Sequence, residues 1–279
     1  MALCQKPFRR AGLEHGCGQC LPCRISRRRL WTARLILESY CHDENCFVTL
    51  TYDPEHLPAN NTVVPRDLSL FIKRLRKELS PARIRFFAVG EYGDTTGRPH
   101  YHALLYGVGP HLQPLIESCW GRGHVHVGEV TPESASYTAG YTIKKLTKKD
   151  DYRLKEGQHP EFARMSLKPG IGAFAVEEIS RVMYSNAGSV AIDRKGDVPS
   201  TIRINGKEMP LGRYLVGLLR KSYGLSHKSP EPLARASQIA GSLMNCDLDY
   251  VRSRERRRIQ HGRNAAARVS LIRSKRTSI

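Results

Sequence analysis

Acidic side chains are scarce in this sequence. Its 279 residues hold 26 Asp and Glu against 45 Lys and Arg, a net charge of +19 and a pI near 9.8. Solubility alone does not require such a surplus, whereas attraction to a polyanion does, and nucleic acid is the commonest one. A membrane surface is the weaker alternative, because no basic amphipathic helix stands out. Long apolar runs are missing too, so no bilayer span is expected. The basic N-terminus has no apolar stretch behind it and does not read as a signal peptide. There is no Gly-x-x-x-x-Gly-Lys-Ser/Thr loop, so a fused ATP-driven helicase is not supported. No internal repeat is found.

Hydrophobic residues make up 40% and charged residues 25%, which fits a globular fold over most of the length. Eight cysteines are spaced unevenly. Without a secretory signal they argue against a disulfide framework and for a reducing cytoplasm. Cys4, Cys17, Cys20 and Cys23 form C-x12-C-x2-C-x2-C, and four thiolates could hold a structural Zn²⁺. The tight triplet also suits iron–sulfur ligation. Cys41 or Cys46 could replace Cys4, while Cys119 and Cys246 read as ordinary buried residues.

Arg24, Arg27, Arg28, Arg29 and Arg34 follow in a segment that reads as a helix through Glu38. Phe47 to Tyr52, rich in β-branched and aromatic residues, reads as a strand. Pro65 to Leu79 has helical periodicity. Arg83 to Glu91 and Pro99 to Tyr106 read as a hairpin with a long tip. Pro110 to Trp120 reads as a helix, His124 to Val130 as a strand, and Pro132 to Lys149 as a helix capped by Thr131. The order predicts an α+β fold, with a mainly antiparallel sheet flanked by helices. Farther on, residues 168–172 read as a loop, Ile202 to Lys207 as a hairpin on Asn-Gly, and Leu211 to Lys221 as a helix. From Val251 the chain carries ten basic residues against Glu255 alone, a solvated helix or a disordered arm.

His100 and His102 fall on one face of their strand, with Cβ atoms roughly 7 Å apart by two residues of rise. Glu91 lies across the hairpin. Two imidazoles and a carboxylate can share a divalent ion and leave positions open for substrate. Mg²⁺ or Mn²⁺ there would polarise a phosphate oxygen. A His-x-His pair can also simply face solvent, and His124 and His126 have the same spacing with no metal assigned. Tyr137 and Tyr141, four apart in a helix, share a face, and Lys144, Lys145 and Lys148 continue near it. A phenol is a weak nucleophile at neutral pH, and nearby lysines would favour the phenolate. The bland alternative makes one tyrosine core and the other surface.

Four segments occur in a recognisable order: Phe47-Val48-Thr49-Leu50-Thr51-Tyr52, Gly90-Glu91-Tyr92-Gly93, Arg98-Pro99-His100-Tyr101-His102-Ala103-Leu104-Leu105 and Tyr137-Thr138-Ala139-Gly140-Tyr141-Thr142-Ile143-Lys144-Lys145. They resemble the motifs of rolling-circle replication initiators of the HUH endonuclease superfamily. With Cys17-Gly18-Gln19-Cys20-Leu21-Pro22-Cys23-Arg24 and Lys168-Pro169-Gly170-Ile171-Gly172, the chain is similar to the initiators of gokushovirus-type microviruses over residues 17 to 172. The family's apolar residue between the histidines is Tyr101 here, a side chain that faces away from the metal.

The resemblance implies an HUH core over residues 46–150. Before it stands the cysteine and arginine segment (1–45), and after it an accessory segment (151–230) and a basic tail (231–279). It implies an endonuclease that nicks single-stranded origin DNA through a 5′-phosphotyrosine link and frees a 3′-hydroxyl. Tyr141 would cut first, with Tyr137 as partner and Lys145 beside them. The host bacterial cytoplasm would supply polymerase and helicase. Arg24, Arg27, Arg28, Lys144, Lys148 and the tail suit phosphate contact. A relaxase or transposase of the same superfamily, or a zinc-containing DNA-binding protein without enzymatic activity, are the competing readings.

Overall fold

A computed structural model describes residues 4–10, 13–93, 96–141, 151, 154–227 and 248–277. The chain falls into two units, residues 29–219 and residues 1–28 with 220–279.

The larger unit is built on a five-stranded sheet. Its strands are β3 (Asn45–Thr51), β4 (Arg85–Tyr92), β5 (Pro99–Tyr106), β6 (Val125–Glu129) and β7 (Phe162–Met165), in the order β6-β3-β5-β4-β7. Every neighbouring pair is antiparallel. Strand side chains alternate between faces, and here the two faces do different work. Cys46, Val48, Leu50, Ala88, Tyr101, Ala103 and Leu105 point to one side. There they meet Leu68, Phe71, Ile72 and Leu75 of α2 (Pro65–Glu78) and Ile116, Cys119 and Trp120 of α3 (Gln113–Trp120). This is the main core. Tyr101 lies wholly within it, and its hydroxyl meets that of Tyr52 at 2.7 Å.

The opposite face carries α1 (Leu21–Ser39) and α4 (Pro132–Tyr141). Trp31 of α1 packs on Phe87, and the Tyr106 hydroxyl donates to the Leu35 carbonyl at 3.2 Å. Glu38, fully buried, accepts hydrogen bonds from Arg85 and from the Gly172 N–H. One carboxylate thus ties α1 to β4 and to the 168–172 loop. Burial alone would raise the Glu38 carboxyl. Hydrogen bonds from His42, Arg85 and Gly172, with the Arg85 charge, outweigh burial and hold it below the usual range. Arg34 stacks on both Trp31 and Tyr214 and donates to the Ile171 carbonyl.

The expected elements from Phe47 to Glu129 occur in their expected order. Two differ in their bounds for reasons of proline chemistry. The chain from Pro110 opens as a 3₁₀ turn, Pro110–Leu112, and α-helix begins only at Gln113. Pro114, with no N–H, sits in that helix's first turn, where none is needed. Helix α1 begins at Leu21 rather than Arg24, because Pro22 likewise fits a first turn. The predicted helix from Pro132 is described to Tyr141, and residues 142–150 lie outside the described residues. The Asn-Gly hairpin joins β8 (Thr201–Ile204) to β9 (Lys207–Pro210), with Asn205 and Gly206 both at positive φ. Two helices, α5 (Ala175–Met183) and α6 (Asn186–Lys195), and the edge strand β7 were not anticipated. Helix α7 (Gly212–Ser222) matches its prediction within a residue.

The smaller unit holds a hairpin of β1 (Phe8–Arg10) and β2 (Leu13–His15), the start of α1 and the long helix α8 (Leu248–Thr277). Arg258 of α8 pairs with Glu14 of β2 at 2.5 Å, and a Cβ at Gly262 would collide with Gln5. The basic tail is therefore helical, with one flank packed on the hairpin segment. Among the described residues, no helix is long and apolar enough to cross a membrane.

Candidate metal and tyrosine site

Strands β4 and β5 pair so that Glu91 stands opposite His100. His102 is two residues on, so its side chain leaves the same face. Glu91 Oε1 lies 2.9 Å from His100 Nε2 and 3.1 Å from His102 Nε2. Glu91 is 2% exposed and His102 5% exposed. Their ligand atoms lie within 4.8 Å of one another.

Whether these residues suit a cation can be tested on their other hydrogen bonds. His100 Nδ1 is 3.1 Å from the Arg98 carbonyl oxygen, which can only accept. Nδ1 must therefore carry the proton, and the neutral ring turns an unprotonated Nε2 toward the Glu91 oxygen. Two lone pairs at 2.9 Å need a positive charge between them, a proton or a cation. His102 Nδ1 is held at 2.9 Å by the Thr49 hydroxyl, which likewise leaves Nε2 for a ligand role. Adjacent oxygen or nitrogen ligands of an octahedral Mg²⁺, each at about 2.1 Å, stand roughly 3 Å apart. The residues fit a hard divalent ion.

Helix α4 supplies the phenols. Thr131 Oγ1 accepts from the Ser134 N–H at 3.1 Å, and Ser134 Oγ accepts from the Thr131 N–H at 2.8 Å, a reciprocal cap that fixes where the helix starts. The residues of α4 against the sheet are small, Ala135, Thr138 and Ala139. Small residues let the helix lie close to β4 and β5. Tyr137 and Tyr141 then both reach His102, with ring centroids at 5.1 and 5.3 Å, and the Tyr141 ring is parallel to the imidazole. The two phenol rings are 5.0 Å apart. Tyr137 is 42% exposed. Burial, the Tyr137 hydroxyl and the charge of Glu91 push the Tyr141 phenol well above its ordinary value.

The structure thus gathers Glu91, His100, His102, Tyr137 and Tyr141 on one face of the sheet. Lys144, Lys145 and Lys148 lie outside the described residues. Sequence reasoning missed three contributors: Thr49, the Arg98 carbonyl, and Phe47, whose ring stacks on His102 at 5.6 Å. Thr49 and Phe47 share the odd-numbered face of β3, and Thr49 pairs in register with His102. The alternation of β3 could have flagged them once that pairing was known.

Cys4, Cys17, Cys20 and Cys23 form a second group whose sulfurs all lie within 4.8 Å of one another. None is in a disulfide. Burial alone would raise the Cys17 thiol. The backbone N–H groups of Cys20 and Gln19, with the Cys4 and Cys20 side chains, outweigh that and bring it to about 6. Burial and the neighbouring cysteines push the Cys23 thiol up to about 12. Arg24, Arg27 and Arg28 stand on the first turns of α1, directly after these cysteines.

Comparison with known proteins bears on both groups. The family described as replication-associated protein ORF2 matches residues 45–150, a span that encloses β3 to β6 and all five residues around Glu91. Replication-associated protein VP4 of Bdellovibrio phage phiMH2K is 31% identical over 235 residues, 76% of this chain and 70% of that protein. The chain belongs to this family of phage replication-associated proteins. Two further members are replication-associated protein ORF2 of Spiroplasma virus 4, 34% identical, and ORF4 of Chlamydia phage 1, 31% identical. Those matches cover 64% of this chain and 62% of the first relative, and 47% of this chain and 38% of the second. The family reached this way is the one the motifs resemble. No solved structure matches the chain.

Proposed function

We propose that this protein is an HUH-type initiator that nicks single-stranded origin DNA through a tyrosine and starts rolling-circle replication of a small phage genome. The observation that carries the reading is the meeting of two phenols and a two-histidine, one-carboxylate set on one face of one sheet. Membership of a family of phage replication-associated proteins supports the biological setting.

Glu91, His100 and His102 would hold Mg²⁺ or Mn²⁺, which when bound makes a phosphate more electrophilic and neutralises its charge. This chain's own residues do the rest. Tyr141 is placed to attack the scissile phosphorus. Its oxygen forms the new P–O bond, the bond to the 3′ oxygen breaks, and the phenol proton is balanced by the one the 3′-hydroxyl gains. The products are a 5′-phosphotyrosine and a 3′ end for the host polymerase, with strand opening left to a host helicase. Tyr137, one turn away against the same imidazole, is placed to accept the strand at the end of a round. Lys145, with Lys144 and Lys148, would steady the phosphate.

A labelled single-stranded origin oligonucleotide with Mg²⁺ or Mn²⁺ tests this. The wild-type protein is expected to nick it and to carry a covalent adduct. Tyr141→Phe should lose most of the adduct, and Tyr137→Phe/Tyr141→Phe all of it. Adduct from the double variant would overturn the tyrosine assignment. An oligonucleotide bound by the wild-type protein but left intact would instead mark a non-enzymatic DNA-binding protein.

A further inference from the structure

We propose that Cys4, Cys17, Cys20 and Cys23 hold one Zn²⁺ through four thiolates, and that this ion builds a module which grips the DNA backbone. The sulfur geometry is the first support. Cys4 and Cys20 Sγ are 3.8 Å apart. Four thiolates at about 2.3 Å from a tetrahedral Zn²⁺ have sulfurs spaced by about 3.8 Å. A disulfide would need about 2.05 Å. An iron–sulfur cluster binds each thiolate through a different iron and spreads the sulfurs wider than one ion does.

The backbone is shaped around those sulfurs. The Cys17 N–H points at Cys4 Sγ, 3.2 Å away, and the Cys20 N–H at Cys17 Sγ, 3.3 Å away. Such donors favour the ionised sulfur a metal takes. At Gly16 a Cβ would stand 3.0 Å from Cys23 Sγ, so a side chain there would crowd the cluster. Gly18, between the first two cysteines of the triplet, has φ +72°, a turn that glycine adopts without strain. Four protein ligands fill a tetrahedral ion, so this site has no open position for catalysis.

What the ion would hold in place is basic. Residues 1–28 carry six Lys and Arg against one acidic residue, and residues 220–279 carry fourteen against four, so this unit holds +15 of the chain's +19. Arg24, Arg27 and Arg28 are spaced to share one face of α1. Cys23 sits in that helix's first turn, and the Arg24 N–H bonds the Cys20 carbonyl at 3.0 Å. Fixing Cys20 and Cys23 on an ion therefore fixes the direction of the arginine face. Arg256, Arg257, Arg263 and Arg268 of α8 in the same unit are exposed. A single DNA strand is the occupant, and that half of the proposal rests on the function proposed above; the ion half does not.

The test uses the full chain. Wild-type protein is expected to hold one zinc per chain and no acid-labile sulfide, by elemental and sulfide analysis. Glu91→Gln should keep that zinc and keep binding a single-stranded oligonucleotide. Cys17→Ser/Cys20→Ser should lose the zinc and bind at least tenfold more weakly. Should that variant fail to fold, cobalt loading of the wild-type protein still decides: a tetrahedral thiolate site gives strong sulfur-to-cobalt absorption. Arg24→Ala/Arg27→Ala/Arg28→Ala should keep the zinc and lose affinity. Absence of zinc and of the cobalt–thiolate spectrum would overturn the ion site, as would stoichiometric iron with sulfide. Undiminished affinity in the zinc-free or triple-arginine protein would overturn the module. A protein that holds zinc and DNA but never nicks would count only against the function proposed above.

Discussion

Thr49 does for His102 what the Arg98 carbonyl does for His100: it takes the far ring nitrogen and leaves the near one for Glu91 or an ion. Such outer partners are worth about 10–100-fold in metal affinity. Thr49→Val keeps the shape of the side chain and removes the hydroxyl. The expected outcome is a rise of that size in the Mn²⁺ concentration needed for half-maximal nicking, with melting temperature little changed. An unchanged Mn²⁺ requirement would show that Thr49 does not orient His102. At this scale the sequence was informative about the ligands and silent about their supports. His100, His102 and Glu91 announce themselves by residue type, and the phenols by their spacing. Thr49 is one threonine among many, and a backbone carbonyl has no signature at all.

Among the elements, α1 has the clearest dependence on a single contact. Glu38 and Arg85 anchor it to β4, with both side chains buried. A carboxyl held low when folded adds stability that is full above its unfolded value, about 4.5. That contribution is lost as pH falls through the folded value. The melting temperature should therefore hold from neutrality to about pH 4.5 and fall below it. Glu38→Gln leaves Arg85 buried without its counter-charge. It should cost about 3–5 kcal/mol at pH 7 and flatten the acid limb, as thermal melts across pH would show. A variant with unchanged stability and the same acid limb would remove Glu38 from this role.

The strands and helices with strong periodicity were legible in advance, from β3 through the start of α4. What escaped had weak local signals. Strand β7 is four residues, Phe-Ala-Arg-Met, without alternation, and it exists because β4 offers it an edge: the Phe162 ring fills the space over Gly90, where a Cβ would stand 2.7 Å from it. Hairpin β1–β2 is two three-residue strands. Elements so short are decided by what they pack against, which no window of sequence contains.

For the molecule as a whole, charge is the dominant property. It is divided unequally, with only +4 of +19 on residues 29–219. Binding that rests on the other stretches is mostly phosphate contact and counterion release. With six to ten contacts on a single strand, affinity should fall about 10²- to 10⁴-fold between 50 and 200 mM salt, read by fluorescence anisotropy. A flat response would mean that base or apolar contacts dominate. The surplus of charge was plain from composition, whereas its concentration in two stretches distant in sequence emerged only when the structure grouped them.

Strand β5 lies in the middle of the five, hydrogen-bonded on both sides, and it carries both imidazoles. Backbone so placed exchanges its amide protons only when the entire domain opens. The amides of residues 100–102 should then be among the last to take up deuterium. Any ion seated on those rings would be shed in the same cooperative event that melts the sheet, not by fraying beforehand.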